Sequence, residues 1–312
     1  MKVGFEGRVV VVTGAGNGLG RAYALEIARR GGAVVVNDLG CSVGGESAAP
    51  GVADSVVAEI EAAGGRAVAS HHSVATAEGG EAIAATALEA FGRIDALINN
   101  AGNLRNAPFD ELPEADRDAM FAVHLAGAFN VTRPIFREMK KRGYGRIVFT
   151  SSGAGLFGNQ EQAAYGAAKM GVIGLMNVLA QEGLAHGVLC NALAPTAMSR
   201  MAEKMNPEQL PELLAAGASF STAILPEFVT PLPVYLASET CRSTHEIYSA
   251  VGGRYARVFI GVADGWLGSR DQPASADDIA AHIDEIRDTT QYGIPSNLLD
   301  EYRLLTELIN TR

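Results

Sequence analysis

The chain of 312 residues is 48% hydrophobic and 19% charged, which is typical of a globular protein with a large core and excludes an intrinsically disordered chain. Its net charge of −10 argues against a nucleic-acid partner, because binding to a phosphate backbone requires a basic face. Cys41, Cys190 and Cys241 are odd in number and far apart, so they predict unpaired thiols in a reducing cytoplasm and neither a disulfide framework nor a metal site. The start of the chain reaches the charged Glu6 before any long apolar run, so we expect no signal peptide and no membrane span.

The first predicted element is a buried parallel strand, a run of four valines at residues 9–12 that ends at Thr13. Helical spacing over 21–30 and a second β-branched run over 33–36 complete a βαβ unit. The same alternation continues to residue 251. It predicts helices over 52–63, 78–91 and about 117–142, a further helix that carries residues 165 and 169, and strands over 66–70, 96–98, 146–150, 187–193 and 247–251.

Strict alternation of strands and helices predicts an α/β fold, a doubly wound Rossmann-type parallel sheet with helices on both faces. We expect a single domain over residues 1–253. The acidic tail over 254–312 predicts two short helices plus loop. Because this tail is too small to hold a core of its own, we expect it to pack on the same domain as a helical appendage.

A glycine-rich segment, residues 13–20, joins the first predicted strand to the first predicted helix. Glycine permits a tight turn and lets backbone N–H groups approach a pyrophosphate, whose negative charge the helix N-terminus favours. The spacing of Gly14, Gly18 and Gly20 differs from the common G-x-G-x-x-G fingerprint, and such a loop taken alone could be a simple turn. Its place between a strand and a helix favours nucleotide binding.

Asp38 closes the second predicted strand, 24 positions after Gly14. A carboxylate there can accept hydrogen bonds from both hydroxyl groups of an adenosine ribose and would repel a 2′-phosphate. Asn17 is neutral and no basic residue directly follows Asp38, so NAD is favoured over NADP. The alternative is that Asp38 is an ordinary turn residue at a strand end.

Tyr165 and Lys169 are four positions apart, which places both side chains on one face of a helix. An ammonium group there stabilises a phenolate, so we expect the pKa of Tyr165 to fall from its usual value of ~10 towards neutrality. Such a tyrosine can exchange a proton with an alcohol or carbonyl oxygen. The pair alone is weak evidence, because this spacing occurs by chance on many solvated helices.

Four motifs, in the same order over about residues 5–253, resemble those of the short-chain dehydrogenase/reductase family. They are Thr13-Gly-x-x-x-Gly18-x-Gly20, Asn99-Asn-Ala-Gly102, Ser152 thirteen residues before Tyr165, and Tyr165-x-x-x-Lys169. A narrower similarity, to the (3R)-hydroxyacyl-CoA dehydrogenase branch of that family, involves residues 21–25, 36–40, 123–127, 144–147 and 199–201.

The resemblance implies a catalytic role for four residues. Tyr165 would be the general acid/base, Ser152 would bind the substrate oxygen, and Lys169 would lower the pKa of the tyrosine and bond the nicotinamide ribose. His124 stands where the family commonly has an Asn that anchors a water of the proton relay, so it is either a relay member or a packed helix histidine. Asn99 would support the central sheet and the cofactor.

The resemblance also implies a set of contacts with NAD. These residues are Gly14, Asn17, Gly18, Leu19, Gly20, Asp38, Leu39, Ser73, Val74, Asn100, Ala101, Gly102, Tyr165, Lys169, Pro195, Thr196 and Ser199. Two departures from the family pattern leave contacts open. His72 stands where an Asp usually meets the adenine edge, and Pro195-Thr196 replaces the usual Pro-Gly, so Thr196 and Ser199 are both candidates for the carboxamide contact.

The chemistry implied is reversible hydride transfer that interconverts a secondary alcohol and a ketone with NAD. The expected substrate lid, at about residues 196–228, is rich in Met, Ala, Leu and Phe, which suits a bulky apolar ligand, although an amphipathic helix pair that only packs is the alternative. A 3-hydroxyacyl-CoA with a fatty or steroid side chain and a hydroxysteroid such as a 17β-hydroxysteroid are both open. Arg105 and Arg200 are either contacts for an anionic CoA group or plain surface charges.

A homodimer or homotetramer is implied by the resemblance, and a cytoplasmic location is expected. The rival function from another class is a non-catalytic NAD-binding regulatory protein on the same fold. The intact set of Ser152, Tyr165 and Lys169 argues against that rival.

Overall fold

The computed structural model describes residues 2–45, 49, 51–197, 215 and 217–311, and the statements below concern these residues. The chain forms two compact units, Met1–Arg257 and Val258–Arg312.

The first unit contains one eight-stranded sheet of order β3-β2-β1-β4-β5-β6-β7-β8. Every neighbouring pair from β3 to β7 is parallel, which confirms the predicted Rossmann-type architecture. The strands are β1 (Val9–Thr13), β2 (Ala33–Asn37), β3 (Arg66–Ser70), β4 (Ala96–Asn99), β5 (Gly145–Thr150), β6 (Val188–Thr196), β7 (Glu246–Val251) and β8 (Arg254–Val258).

The sheet does not end near Val251, as the sequence pattern suggested. Two residues, Gly252 and Gly253, turn the chain back, and Arg254–Val258 joins the sheet as its edge strand. A connection of this length makes an antiparallel hairpin, because a parallel return needs a crossover of a dozen residues or more. β8 is only partly buried, so it lacks the continuous apolar run by which strands such as β1 and β2 are recognised.

Helices flank the strands, as the alternating pattern predicted, and two short helices at 153–157 and 231–236 were not predicted. The helices are α1 (Gly18–Arg29), α2 (Val52–Ala62), α3 (Ala77–Phe91), α4 (Glu114–Met120), α5 (Gly127–Arg142), α6 (Gly153–Phe157), α7 (Ala163–Leu184) and α8 (Pro231–Leu236). A π-helical turn, Phe121–Ala126, joins α4 to α5, and such turns are frequent at functional sites. β1 and β2 are buried along their whole length, which explains their unbroken valine runs.

The second unit contains α9 (Ala276–Ala281), α10 (Ile283–Arg287) and α11 (Leu298–Thr311), with an antiparallel pair formed by β9 (Val262–Ala263) and β10 (Tyr292–Gly293). The predicted helical tail is confirmed, but it contains three helices and a short antiparallel pair where two short helices plus loop were predicted. None of the described residues of this unit is fully buried. Its packing on the rest of the chain stays a prediction.

Among the described residues, α7 alone is long and apolar enough to cross a membrane by length and composition. The core helices of soluble proteins pass the same test, so this single helix is weak evidence for a membrane span. α7 packs on β6 and carries Tyr165 and Lys169.

Candidate active site

The strand order reverses beside β1, whose neighbours are β2 on one side and β4 on the other. In an open parallel sheet, ligands bind in the crevice outside the carboxyl ends of the strands at such a switch point. The glycine-rich segment follows β1, Asp38 follows β2, and Asn100 follows β4. The fold thus brings the predicted cofactor residues of three separate segments to one edge of the sheet.

The backbone of the glycine-rich segment requires glycine, most clearly at Gly14 and Gly20. Gly14 has a φ of 64°, and a Cβ added there would lie 2.8 Å from the Cα of Ala101. A Cβ added at Gly20 would lie 2.2 Å from the carbonyl oxygen of Gly14. Asn17 is the N-cap of α1 but makes no side-chain cap bond, so the side chain does not occupy the first N–H groups of the helix, which is the arrangement that suits a phosphate.

Thr13 ties the glycine-rich segment to the segment after β4. Its Oγ1 accepts hydrogen bonds from the backbone N–H groups of Asn100 and Ala101, both at 3.0 Å. The Asn100 side chain donates in return to the carbonyl oxygens of Thr13 and Gly14, at 3.0 and 3.1 Å. Asn99 donates to Oγ1 of Thr132 at 2.9 Å and so anchors the end of β4 to α5. These bonds hold both walls of the crevice in one geometry.

The carboxylate of Asp38 is fixed by backbone donors. Its Oδ2 accepts from the N–H of Gly16 at 2.8 Å, and its Oδ1 accepts from the N–H of Gly40 at 2.7 Å. Asp38 is therefore more than an ordinary turn residue, because it joins the end of β2 to the glycine-rich segment. The carboxylate stays next to the crevice at the carboxyl ends of β1 and β2.

Ser152 and Tyr165 come together where β5 and α7 meet. Ser152 is the N-cap of the short helix α6, and Gly155 lets that helix approach α7 so closely that an added Cβ would be 2.9 Å from the backbone nitrogen of Met170. Burial raises the pKa of Tyr165 above its usual value, and a hydrogen bond with Ser152 partly lowers it. The expected fall of this pKa was wrong for the structure, because the cost of burying a phenolate is the larger effect.

Lys169 is buried, and its ammonium group donates to the carbonyl oxygen of Thr150 at 2.7 Å. Its Nζ lies 5.6 Å from the centre of the Tyr165 ring. Burial lowers the pKa of Lys169 to about 7, because the charged form is poorly solvated there. The lysine can therefore gain or lose a proton near neutral pH.

His124 lies in the π-helical turn with its ring edge-on to Tyr165, at a centroid distance of 5.1 Å. Its Nε2 is 2.7 Å from the carbonyl oxygen of Asn103, and because a carbonyl can only accept, we assign the proton to Nε2. The N–H of Asn103 is also within reach of Nε2, but at the longer distance of 3.3 Å. Burial and the charge of Lys169 hold the pKa of His124 well below its usual value, so the imidazole is neutral.

A small cavity of about 10 Å³ lies between His124, Lys169 and Thr150. Two polar atoms near it, Nδ1 of His124 and Oγ1 of Thr150, are buried and have no hydrogen-bond partner among the described residues. The volume is at the lower limit for one water molecule, and a buried water needs two to four polar partners of this kind. The site therefore suits one water between the histidine and the lysine.

The remaining predicted residues are placed as follows. Leu19 is partly buried against the core and Leu39 is exposed, whereas Val74 is buried and lines the small cavity. The side chain of Ser73 accepts from the N–H of Ala75, and His72 meets Asn37 only through its carbonyl oxygen. Pro195 and Thr196 end β6 at the same sheet edge, whereas Ser199, Arg200 and most of the expected lid lie outside the described residues.

Arg105 is neither a free surface charge nor an open anion contact. Its Nε donates to the carbonyl oxygen of Gly44 at 2.8 Å, and its Nη1 pairs with Oδ1 of Asp116 at 2.6 Å. The sequence offered no sign of this pairing. It also gave no sign of Asn103 and Thr150 as partners in the site, because each acts through a contact between segments that are distant in sequence. Thr13 alone carried a signal, as the residue directly before the glycines.

The chain matches a family model described as short chain dehydrogenase over residues 8–210. Peroxisomal multifunctional enzyme type 2 of Mus musculus is 42% identical over 311 residues, which make up 98% of this chain and 40% of that enzyme. The chain thus spans less than half the length of this relative.

Two solved structures have the same fold. A short chain dehydrogenase from Mycobacterium avium is 37% identical with a TM-score of 0.76, and the match covers 92% of this chain and 98% of that one. A 7α-hydroxysteroid dehydrogenase complexed with NADH and 7-oxo glycochenodeoxycholic acid is 26% identical with a TM-score of 0.70, covering 80% of this chain and 95% of that one.

Proposed function

The chain belongs to the short-chain dehydrogenase family and is an oxidoreductase that uses a nicotinamide cofactor, and from this premise we propose that it interconverts a bulky apolar secondary alcohol and its ketone with NAD. The observation that carries the proposal is the meeting of Ser152, Tyr165 and Lys169 beside the carboxyl ends of β5 and β6.

Tyr165, Ser152 and Lys169 have different roles in the proton transfer. Because burial favours the protonated phenol, Tyr165 gives its proton to the ketone oxygen in reduction, and in oxidation its phenolate takes the proton of the substrate hydroxyl group. Ser152 donates a hydrogen bond to the same oxygen as negative charge develops there. Lys169 stabilises the phenolate and passes the proton on, which its lowered pKa permits near neutral pH. A nicotinamide cofactor, held by the glycine-rich segment and Asp38, would supply the acceptor or the donor of the hydride.

The cofactor assignment to NAD rests on the fixed carboxylate of Asp38. Asp38→Asn keeps the size and one acceptor oxygen but removes the charge that would repel a 2′-phosphate. We expect the preference for NAD over NADP, measured as the ratio of kcat/KM values, to fall about tenfold.

Asp54→Asn is the matched control for Asp38→Asn, because Asp54 is an exposed carboxylate on α2. It should leave the preference unchanged. A wild-type enzyme that prefers NADPH would overturn the assignment of NAD.

We extend the proposal to His124 as a positioning residue of the proton relay. Its neutral imidazole holds a water in the small cavity through Nδ1, and that water links Lys169 towards solvent. His124→Phe keeps a flat ring but has no acceptor, so kcat should fall about 100-fold while the Kd for NADH stays the same.

The variant His124→Asn supplies an amide that can hold the same water, and it should lose less than tenfold in kcat. Thermal unfolding of both variants checks that the fold is kept. If His124→Phe turns over at the wild-type rate, the histidine is only a packed residue.

We propose a 3-hydroxyacyl-CoA as the first candidate substrate, in line with the similarity to the (3R)-hydroxyacyl-CoA dehydrogenase branch. A hydroxysteroid is the second candidate, favoured by the neighbour of known structure that holds 7-oxo glycochenodeoxycholic acid. NADH absorbance with both classes of alcohol, and with NAD and NADP in parallel, separates the candidates. A chain that binds NADH but oxidises no alcohol of either class would contradict the proposal and favour a regulatory role. A homo-oligomer in the cytoplasm stays a prediction.

A further inference from the structure

The connection from β2 to α2 runs over residues 38–51, whereas strand-to-helix loops in this kind of fold are usually about two to six residues long. The excursion has a closed neck, in which the N–H of Ala49 donates to the carbonyl oxygen of Gly40 at 2.7 Å. Gly40 has a φ of 73°, and an added Cβ would be 2.1 Å from the carbonyl oxygen of Ala49, so the neck requires glycine. We name residues 40–45, which lead out of this neck, the strap.

The strap is attached to the segment that follows β4. The carbonyl oxygen of Val43 accepts from the N–H of Leu104 at 2.9 Å, and that of Gly44 accepts from Nε of Arg105 at 2.8 Å. Gly45 lies against Asn103, whose Nδ2 would be 2.9 Å from an added Cβ. The far end of the strap is therefore held at residues 103–105.

These attachments fix the path of the strap across the sheet edge. The strap begins just after the end of β2, and it is attached to residues that follow the end of β4. In the sheet, β1 lies between these two strands. With neighbouring strands ~4.8 Å apart, the strap spans ~10 Å across the carboxyl end of β1. The glycine-rich segment begins at that end, and Asp38 stands at the base of the strap.

We propose that the strap retains the adenosine half of the bound nicotinamide cofactor, and that Arg105 is the positioning residue that holds the strap in place. The inference rests on the proposed function for the identity of the ligand. Release of the cofactor then requires the strap to leave residues 103–105.

Arg105 is suited to this task because its guanidinium group binds two partners at once. One N–H group holds the strap carbonyl of Gly44, and another pairs with Asp116 in the first turn of α4. The side chains of Arg105 and Asp116 are 24% and 29% exposed, so water and salt screen their ion pair less than a fully exposed one. Without Arg105 the backbone bond from Leu104 and the contact with Asn103 are weaker attachments of the far end of the strap, so this end can leave residues 103–105 without unfolding of the sheet.

The test is the release of NADH from Arg105→Ala, followed by fluorescence in a stopped-flow displacement with excess NAD. The release rate should rise about tenfold, whereas the association rate should change less. The affinity for ADP-ribose, which has the adenosine and pyrophosphate but no nicotinamide, should fall by a similar factor in calorimetry. Asp116→Asn, which removes only the ion pair, should show the same effect to a smaller degree. Arg117→Ala is the matched control, because Arg117 pairs only with its exposed neighbour Asp118 and should leave the release rate unchanged.

A release rate within twofold of wild type in Arg105→Ala overturns the inference and leaves the proposed function standing. The same is true if NADH binds more weakly but ADP-ribose does not, because the effect would then act on the nicotinamide end through Asn103 and His124. A wild-type chain that binds neither NADH nor NADPH overturns the proposed function itself, and the inference with it.

Discussion

Tyr165→Phe should lower kcat at least a thousandfold and leave the Kd for NADH within about twofold of wild type. The substitution removes the oxygen atom to which we assign the proton exchange with the substrate oxygen, and general acid–base catalysis contributes about 10²–10⁴ to the rate. Steady-state NADH absorbance measures the first quantity, and fluorescence titration with NADH measures the second. Because the phenyl ring is kept, its packing against His124 should persist.

Tyr235→Phe serves as the matched control for the loss of a hydroxyl group. Tyr235 lies on α8 with 38% of its surface exposed, and its variant should keep full activity. A Tyr165→Phe enzyme with a tenth or more of wild-type turnover would show that the proton passes through another group.

Gly20→Ala should weaken binding of NADH at least 100-fold and lower the free energy of unfolding by about 1–3 kcal/mol. The added methyl group would lie 2.2 Å from the carbonyl oxygen of Gly14 and 2.5 Å from Nδ2 of Asn100. Neither neighbour can yield freely, because the two are hydrogen-bonded to each other. The turn before α1 must therefore open, and the first N–H groups of the helix lose their alignment towards the crevice. Fluorescence titration and urea unfolding measure the two effects.

Gly174→Ala is the control for adding a methyl group to a helix. Gly174 lies on the exposed side of α7, and apart from the nearby backbone of its own helix no described atom is within 4 Å of an added Cβ, so alanine should raise the stability by up to about 1 kcal/mol. Wild-type affinity for NADH in Gly20→Ala would show that the glycine-rich segment is not the cofactor cradle.

It was predictable from the sequence that the site residues lie close together, because the carboxyl ends of parallel strands all lie at one edge of the sheet. Once the alternation of strands and helices is recognised, Asp38 after β2 and Ser152 after β5 must lie along that edge. The spacing of Tyr165 and Lys169 similarly fixes their common helix face. The alternation of strands and helices and the four-residue spacing therefore suffice to predict where in the fold these site residues lie.

The states of these residues could not be predicted in the same way. The pKa of Tyr165 depends on how deeply packing buries the phenol, and the sequence suggested only the opposing effect of Lys169. Lys169 in turn donates to a carbonyl oxygen of β5, a partner that no side-chain motif encodes. Arg105 was open between two surface roles, and its bonds to Gly44 and Asp116 depend on where a long connection crosses the sheet.

Gly102 gains a particular meaning from the position of His124. Its φ is not among the positive values that favour glycine, so the conformation of its backbone does not demand this residue. A Cβ at this position would instead lie 2.5 Å from Cε1 of the imidazole. The last residue of Asn99-Asn-Ala-Gly102 thus serves this chain by leaving a volume empty for a ring 22 positions further on. Positions 102 and 124 are far apart in the sequence, but their side chains would occupy the same volume. A histidine at position 124 therefore requires glycine at position 102.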